Sequence, residues 1–351
     1  MNLKTVLVGA LPLGLLPAAA AAAQTHKISK YGWFGSSSAV EHAQQVKAIV
    51  SDASIDLSQP FDAFTIPSTL YEKLGPYTFA FDATNRRLFF SVPNTELPSL
   101  GYNCLIGFDL SKPAGSSSSS YEEMYLYGFG PGNVSFAAVP EGNDTRLWFD
   151  VDPDPTTGRA TALAGFLWLP RIRLYNPSTG LVKASPVAGG GADDYSSTYD
   201  PATDSLVVRY RLGNQTRITA YDPVRASKKD FSAPKYDVQF ASRALNTAKS
   251  KTVRGWAVLA QNLYVLTGDS ASTFADTNAE IVNVDIRTGR TTQGPVGAQV
   301  NKLGSGLYDA LPQGLGVRYK KGEYHQLLFG VAARTSSHRQ ANLFSGSKVL
   351  G

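Results

Sequence analysis

Pairs of short apolar strands joined by a polar turn recur along this chain of 351 residues. The first pair, TFAFDATNRRLFFSV at 78–92, has an Asp-x-x-Asn turn between two apolar runs. Comparable pairs follow at 134–151, 196–211, 254–268 and 314–331. Runs of β-branched and aromatic residues separated by Asp, Asn, Gly or Pro predict antiparallel strand pairs. Their spacing of about 55–60 residues predicts the four-stranded blades of a β-propeller.

The strand pattern predicts an all-β fold, a single propeller of five four-stranded blades over residues 61–351. The run GFLWLPRIRLY at 165–175 is assigned to the third strand of the second blade. Irregular segments at 100–130 and 240–253 leave room for one further blade. A strand at 61–72 precedes the first complete blade, so we expect it to supply the outer strand of the last one. That pairing of N- and C-terminal strands would close the ring and leave no free sheet edge.

The first 23 residues have the features of a secretory signal peptide: a single lysine, an apolar run and an Ala-rich end. A membrane anchor is the less favoured alternative, because Pro12 and Pro17 interrupt a run that is short for a membrane span. We therefore expect a protein that is secreted or lies in the lumen of the secretory pathway, with no membrane partner. Residues 24–60 form a lead-in to the propeller, with a short helix predicted at 38–50.

Composition narrows the choice of partners. The net charge is +5, but no dense cluster of Lys and Arg is interleaved with aromatic residues, so nucleic acid is not an expected partner. The one cysteine, Cys104, lies in an apolar run, which predicts a buried thiol and allows no disulfide within the chain. Sequons at Asn133, Asn143 and Asn214 are predicted glycosylation sites. The sequence leaves the oligomeric state open.

Motifs for common catalytic chemistry are missing from the sequence. It has no G-x-S-x-G elbow, no P-loop, no G-x-G-x-x-G before a helix and no H-E-x-x-H, and its four histidines are scattered. We therefore expect no cofactor and no metal site. The carboxylate pairs Asp150/Asp152 and Asp193/Asp194 are candidates for acid–base or Ca²⁺ chemistry, but both fall in segments interpreted as polar loops. Turn formation is the favoured interpretation of these aspartates.

Propeller geometry predicts where a ligand would bind. Residues at or just before the start of each inner strand converge on the mouth of the central channel, which is the default ligand site. This set, with the loops that face it, is mostly neutral hydrogen-bonding groups and arginines, and it offers little that could act as a general base. Its members are Tyr77, Asn133, Tyr195, Arg254 and Gln313, with Asp150, Arg211 and Arg334 in the facing loops. Trp256 and Phe79 are candidate apolar walls, although Trp256 fits an inter-blade core equally well.

The strand pairs resemble the secreted β-propellers of the teichoic acid biosynthesis protein C family, which share a domain with phage tail receptor-binding proteins. The matching stretches include FAFDATNRRLF, LIGFDLS, MYLYGFGPG, RLWFDVD, DPATDSLVVRYR, NLYVLTG and LPQGLGV, and they cover nearly all of the chain from about residue 60. Two positions depart from the family pattern. Pro131 stands where the family has histidine, and Gln313 stands where it has glutamate. We therefore expect neither acid–base catalysis nor polar glycan contacts that depend on that histidine and glutamate.

The chain also resembles, in general features and not in any motif, the fungal secreted hetero-Diels–Alderases of tropolonic sesquiterpenoid biosynthesis. This resemblance rests on length, signal peptide, sequons and a pocket without acid–base groups. It implies a cofactor-independent cyclase that orients a terpenoid or polyketide substrate by hydrogen bonds, without metal or nucleophile. The expected catalytic residues are Tyr77, Tyr195, Arg254 and Gln313, and the expected substrate-binding residues are Asn133, Arg211, Trp256 and Arg334. The alternative is a glycan-active or glycan-binding propeller, either a polysaccharide lyase or a lectin-like adhesin.

Overall fold

The computed structural model describes the chain in segments. These are residues 61–65, 78–93, 103–111, 121–126, 135–169, 174–175, 182–184, 186, 191–240, 252–269, 271–273, 278–297, 308–320, 324–334 and 339–345. The predicted signal peptide, the lead-in at 24–60 with its helix, Tyr77, Asn133 and Pro131 lie outside the described residues.

Short β-strands make up most of the described chain. The strands of the first half are β1 (Phe61–Thr65), β2 (Thr78–Asp82), β3 (Arg87–Pro93), β4 (Asn103–Asp109), β5 (Tyr121–Leu126), β6 (Ala137–Glu141), β7 (Asp144–Pro153), β8 (Ala160–Leu167), β9 (Leu174–Tyr175) and β10 (Val182–Ala184). Those of the second half are β11 (Ala192–Asp200), β12 (Ser205–Leu212), β13 (Gln215–Tyr221), β14 (Tyr236–Phe240), β15 (Val253–Leu259), β16 (Asn262–Thr267), β17 (Ala271–Thr273), β18 (Glu280–Asp285), β19 (Arg290–Gly297), β20 (Tyr308–Lys320), β21 (Tyr324–Arg334) and β22 (Arg339–Ser345). One short helix, α1 (Pro223–Ser227), links β13 to β14.

These strands form five sheets within the described residues. Sheets one to four have the strand orders β2-β3-β4-β5-β9, β6-β7-β8-β10, β11-β12-β13-β14 and β15-β16-β18-β19. Sheet five has the order β17-β20-β21-β22-β1, in which β1 pairs antiparallel with β22. We call β2, β6, β11, β15 and β20 the inner strands. Each of them contacts two of the others, as in the blades of a five-bladed propeller.

Two short strands correct the predicted strand assignments. The segment at 165–175 is not one strand, because β8 ends at Leu167 and β9 pairs in parallel with β5 at the outer edge of sheet one. Pro170 separates the two pieces, and a proline has no N–H to donate to a continuing ladder. The other unpredicted strand is β17. It follows β16 of sheet four in sequence but pairs with the start of β20 in sheet five.

The core lies between the sheets rather than inside any one of them. Five clusters of buried apolar side chains fill the spaces between neighbouring sheets of the described chain. Strands such as β16 are therefore buried along their whole length instead of alternating between core and solvent. A sheet that is covered on both faces requires near-continuous apolar runs, which is the pattern that the sequence shows.

Close contact between sheets one and five depends on glycine. The ring of Phe79 on β2 lies against Gly314 and Gly316 of β20, where an added Cβ would come within 2.8 and 2.7 Å of its carbon atoms. Gly314 also has φ +81, a conformation that favours glycine. At Gly330 on β21 an added Cβ would overlap the carbonyl oxygen of Gln313. The hollow that receives Phe79 therefore exists only because these positions lack side chains.

Turn aspartates link one sheet to the next. Asp82, the Asp of the first Asp-x-x-Asn turn, accepts hydrogen bonds from the Asn85 backbone N–H at 3.0 Å and from Thr145 of sheet two at 2.5 Å. Asp200 of sheet three accepts from the Ala260 N–H of sheet four at 3.1 Å. Burial raises the pKa of both carboxyl groups, while these hydrogen bonds oppose the rise. The repeated turn therefore fixes neighbouring sheets as well as reversing the chain.

Replacing Gly330 with alanine should lower the free energy of unfolding by about 1–3 kcal/mol or more, because the new methyl group would overlap the Gln313 backbone. Gly294→Ala is the matched control, since an added Cβ at Gly294 in β19 meets no atom within 4 Å. Urea unfolding of both variants measures the difference. Equal stabilities of Gly330→Ala and Gly294→Ala would contradict this account of the packing.

Candidate ligand site between sheets two and three

The predicted site residues do not share one environment. Tyr77 and Asn133 lie outside the described residues, and Arg334 is described only as the last residue of β21, paired in register with Tyr308 and Arg339. Tyr195 and Gln313 are 2% and 7% exposed. The ring of Tyr195 lies 5.7 Å from that of Tyr210, inside the core between sheets two and three. These two side chains therefore offer little surface to a ligand.

Trp256 lies in the inter-sheet core, the alternative stated for it above. It is 1% exposed and belongs to the apolar cluster between sheets three and four. Its indole N–H donates to Ser196 Oγ at 3.0 Å, and its carbonyl accepts from Ser135 Oγ at 3.2 Å. Because Ser135 precedes sheet two and Ser196 belongs to sheet three, these bonds join three sheets near the inner strands. Trp256 thus contributes to the packing of the inner strands.

Arg254 lies where the inner strand of sheet four begins. The register between β15 and β16 shifts between Val253 and Gly255, so Arg254 occupies a bulge, a feature that re-aims a side chain. Its Nε donates to the carbonyl oxygen of Gly268 at 2.9 Å, and the residue is half-buried. The guanidinium group is therefore held at this end of the sheet by a backbone contact.

The structure brings charged residues together where the inner strand of sheet three begins. Asp193 is the register partner of Arg211, and its two carboxylate oxygens accept from Arg211 Nε at 2.7 Å and Nη2 at 2.5 Å. Asp194 accepts from Arg209 Nη2 at 2.7 Å. Arg159, from the turn between β7 and β8 of sheet two, approaches Asp193 at 3.8 Å. We call these five residues, together with Asp150, the charged cluster.

Local geometry explains this arrangement. Arg209 and Arg211 are two positions apart on β12 and so point to the same face, a signal that the sequence SLVVRYRL contains. The register of β11 against β12 shifts between Asp193 and Ser196, and Asp194 has φ +58. This bulge places two consecutive aspartates beside the two arginines. Side-chain exposures of 20–39% for the Asp194–Arg209 and Asp193–Arg211 pairs leave the cluster open to a ligand.

Asp150 is not a turn residue, contrary to the prediction. It lies within β7, where it pairs in register with Leu163 of β8. Its Oδ1 is shielded from solvent and has no hydrogen-bond partner in the described part of the chain. Burial raises the pKa of Asp150 to about 8, and the negative charge of Asp194 adds to the rise, while its own backbone N–H opposes it. The carboxyl group is therefore mostly protonated at neutral pH, so a residue for which the sequence favoured a turn is a buried acid in the fold.

Two of the three sequons lie in described turns. Asn143 and Asn214 are exposed in the β6–β7 and β12–β13 turns, after Gly142 and Gly213 with φ +62 and +61. Across the described segments, no group of three or more His, Cys, Asp or Glu side chains is placed to hold a metal ion. The described chain also has no helix with the length and apolar character needed to cross a membrane.

Comparison with known proteins identifies the fold. No protein-family model and no curated protein sequence matches the chain. Among solved structures, the tail fibre of Staphylococcus aureus phage P68 matches 82% of the chain with a TM-score of 0.56 and 12% identity. The match spans about half of that protein, 52% of its length.

Weaker structural matches are glycoside hydrolases. An exo-β-1,3-galactanase from Clostridium thermocellum matches 80% of the chain and 62% of its own length, with a TM-score of 0.44 and 10% identity. A thermostable family-43 glycoside hydrolase matches 85% of the chain and 96% of its own length, with a TM-score of 0.39 and 10% identity. The five sheets, the contacts between their inner strands and the match to the tail fibre together show an all-β protein with a β-propeller fold. The likenesses to solved structures extend to the fold alone.

The environment of Asp150 predicts how stability depends on pH. Its folded-state pKa of about 8 lies above the ordinary 3.8, so the folded state binds more protons than the unfolded state between these values. The contribution of Asp150 to stability is therefore complete below about pH 4 and falls as the pH rises to about 8. Relative to Asp150→Asn, the wild type should lose unfolding free energy across this range, as measured by urea unfolding at several pH values.

Asp154→Asn is the control for this measurement. Asp154 lies in the exposed β7–β8 turn, where hydrogen bonds from Thr157 lower the pKa of its carboxyl group. Its titration therefore affects stability only below the ordinary aspartate range. A wild-type profile parallel to that of Asp150→Asn between pH 4 and pH 8 would show that Asp150 is ionised like an exposed aspartate.

Proposed function

We propose that this protein is a glycan-binding β-propeller whose binding surface is the charged cluster between sheets two and three. The observation that carries the proposal is the pair of partly exposed Arg–Asp contacts, Arg211–Asp193 and Arg209–Asp194. Sugar hydroxyl groups both donate and accept hydrogen bonds. Fixed arginine donors next to carboxylate acceptors are suited to neighbouring hydroxyl groups.

Pre-organisation supports this proposal. Asp193, Asp194, Arg209 and Arg211 lie on β11 and β12, and each arginine is oriented by its aspartate. Groups held on strands lose little conformational entropy when a ligand binds, so more of the contact energy appears as affinity. The shielded Oδ1 of Asp150 lacks a partner in the described residues, and a ligand hydroxyl or a water molecule would supply one.

We also propose how the ring closes, where the protein is located and that it is glycosylated. We take the five sheets as one propeller ring closed by the pairing of β1 with β22, and we place the protein outside the cell or in the secretory lumen. The contacts of each inner strand with two others support the ring. Glycosylation at Asn143 and Asn214 would be sterically possible, since both lie in exposed turns.

Glycan-array binding tests the function. The wild type should bind a defined set of glycans, and Arg211→Met should weaken that binding by at least about tenfold, because a hydrogen bond to a charged group contributes about 1.5–3 kcal/mol. Arg217→Met is the matched control. Arg217 forms an equivalent bidentate pair with Asp237, at 3.1 and 2.5 Å, on the outer strands of the same sheet. No bound glycan, or equal losses in the two variants, would contradict the proposal.

A second candidate function is the hetero-Diels–Alderase type of cyclase in terpenoid secondary metabolism. The observation in its favour is the protonated Asp150, a hydrogen-bond donor suited to a carbonyl oxygen that gains negative charge in a cycloaddition. Such a catalyst orients two partners and needs neither metal nor nucleophile. Arg254 and Arg211 are the described members of the predicted set with exposed surface.

Incubation with a quinone-methide precursor and a polyene terpene, followed by chiral mass spectrometry, tests the cyclase. A cyclase should give one stereoisomeric adduct, and Arg254→Ala should return the product mixture to that of the reaction without protein. A racemic product with the wild type would contradict the cyclase for these substrates. If the protein is instead a lyase, acidic polysaccharides should yield the ultraviolet absorbance of unsaturated uronates.

A further inference from the structure

We propose that Arg159 gives the charged cluster a preference for glycans that carry an anionic group, a preference that rests on the glycan-binding function proposed above. The anionic group is a carboxylate or a phosphate, since a guanidinium group binds both through paired hydrogen bonds. Arg159 lies in the turn between β7 and β8 of sheet two, and its side chain approaches Asp193 of sheet three. The contact between these two residues depends on how the two sheets pack together.

Hydrogen bonds within the β7–β8 turn fix the backbone at Arg159. The Asp154 N–H donates to the Arg159 carbonyl oxygen at 2.8 Å. Oδ1 of Asp154 accepts from the backbone N–H groups of Thr156 and Thr157 at 2.9 and 2.7 Å. Because this carboxylate is committed to the turn, it forms no ion pair with Arg159 in the described chain. The arginine side chain is instead directed towards Asp193 of the neighbouring sheet.

The guanidinium group of Arg159 keeps hydrogen-bond donors for a ligand. Its Nη1 lies 3.8 Å from Asp193 Oδ2, an ion-pair distance that is too long for a hydrogen bond. Among the described residues this guanidinium group makes no hydrogen bond, whereas Arg211 and Arg209 donate to their aspartates at 2.5–2.7 Å. A guanidinium group has five N–H donors. The side chain of Arg159 is 40% exposed, so a ligand can reach these donors.

Positive charge exceeds negative charge at these ion pairs. Arg211 and Arg209 each offset one aspartate, and Arg159 adds a third guanidinium group to the same two carboxylates. Burial raises the pKa of Asp150 to about 8, so its carboxyl group adds little negative charge at neutral pH. An anionic group on a bound glycan is therefore attracted to Arg159, where it accepts charge-assisted hydrogen bonds that Asp193 does not accept.

Arg290 provides a matched control for the loss of a positive charge. It lies on β19, the outer strand of sheet four, and its side chain is exposed. Like Arg159, it makes no side-chain hydrogen bond in the described part of the chain. Arg290→Gln lowers the net charge of the protein by the same amount as Arg159→Gln but leaves the charged cluster intact. Comparison of the two variants therefore separates a local contact from a general effect of net charge.

Matched pairs of glycans test this preference. Each pair consists of an acidic glycan and the neutral glycan that lacks only its charge, either the carboxamide or the dephosphorylated sugar. At about 50 mM salt the wild type should bind the acidic member about tenfold more tightly. This advantage should shrink at about 0.5 M salt, because salt screens charges at partly exposed sites.

Arg159→Gln should remove most of this advantage, so that the affinities within each pair differ by less than about twofold. Arg290→Gln should bind both members like the wild type. Urea unfolding should show that both variants are as stable as the wild type, since exposed ion pairs contribute little to stability. A preference confined to one kind of pair would identify the anion as carboxylate or phosphate.

The outcomes separate this preference from the proposed function. Equal binding of both members by the wild type, or an unchanged preference in Arg159→Gln, would overturn the role of Arg159 and leave the binding function standing. An equal loss of preference in Arg290→Gln would trace it to net charge and would also overturn that role. If the wild type binds no glycan of either kind, the proposed function and this preference fail together.

Discussion

The fold depends on burying both faces of every sheet. The strands carry apolar residues on each side, so a single sheet would expose half of its apolar surface unless a neighbour packed on either face. Five clusters between five sheets meet this requirement in the described chain. Because the inner strands are the parts in closest contact, small residues and backbone atoms decide how near the sheets can come. The hollow of glycines around Phe79 is the clearest case.

The same packing creates the chemistry of the candidate site. On β7, Trp148 packs in the core between sheets two and three, and Asp150 follows two residues later on the same side of the strand. A carboxyl group placed at the margin of an apolar core loses solvation, and its pKa rises without any special motif. The charge of Asp194, which lies at the bulge of β11, adds to the rise in the pKa of Asp150. The candidate site therefore lies at the margin of this core.

Polar groups are buried and hydrogen-bonded at one end of the sheets and form exposed ion pairs at the other. In the turns that follow the inner strands, Asp82 and Asp200 are buried and saturated with hydrogen bonds that tie one sheet to the next. Where the inner strands begin, Asp193 and Asp194 form half-exposed ion pairs, which contribute little to stability. The turns after the inner strands therefore link neighbouring sheets, whereas the ion pairs where β11 begins keep exposed surface.

The repeat of strand pairs, the all-β class and the Asp-x-x-Asn turns follow from local pattern, since strand periodicity and turn chemistry operate over a few residues. Tertiary structure alone decided the rest. Strand β9 pairs with sheet one, Trp256 is buried between sheets, and the charge of Asp194 adds to the rise in the pKa of Asp150. Each of these involves residues that are far apart in sequence. Burial and electrostatic surroundings are properties of a residue's neighbours in space, so Asp150 is a turn aspartate in the sequence and a protonated acid in the fold.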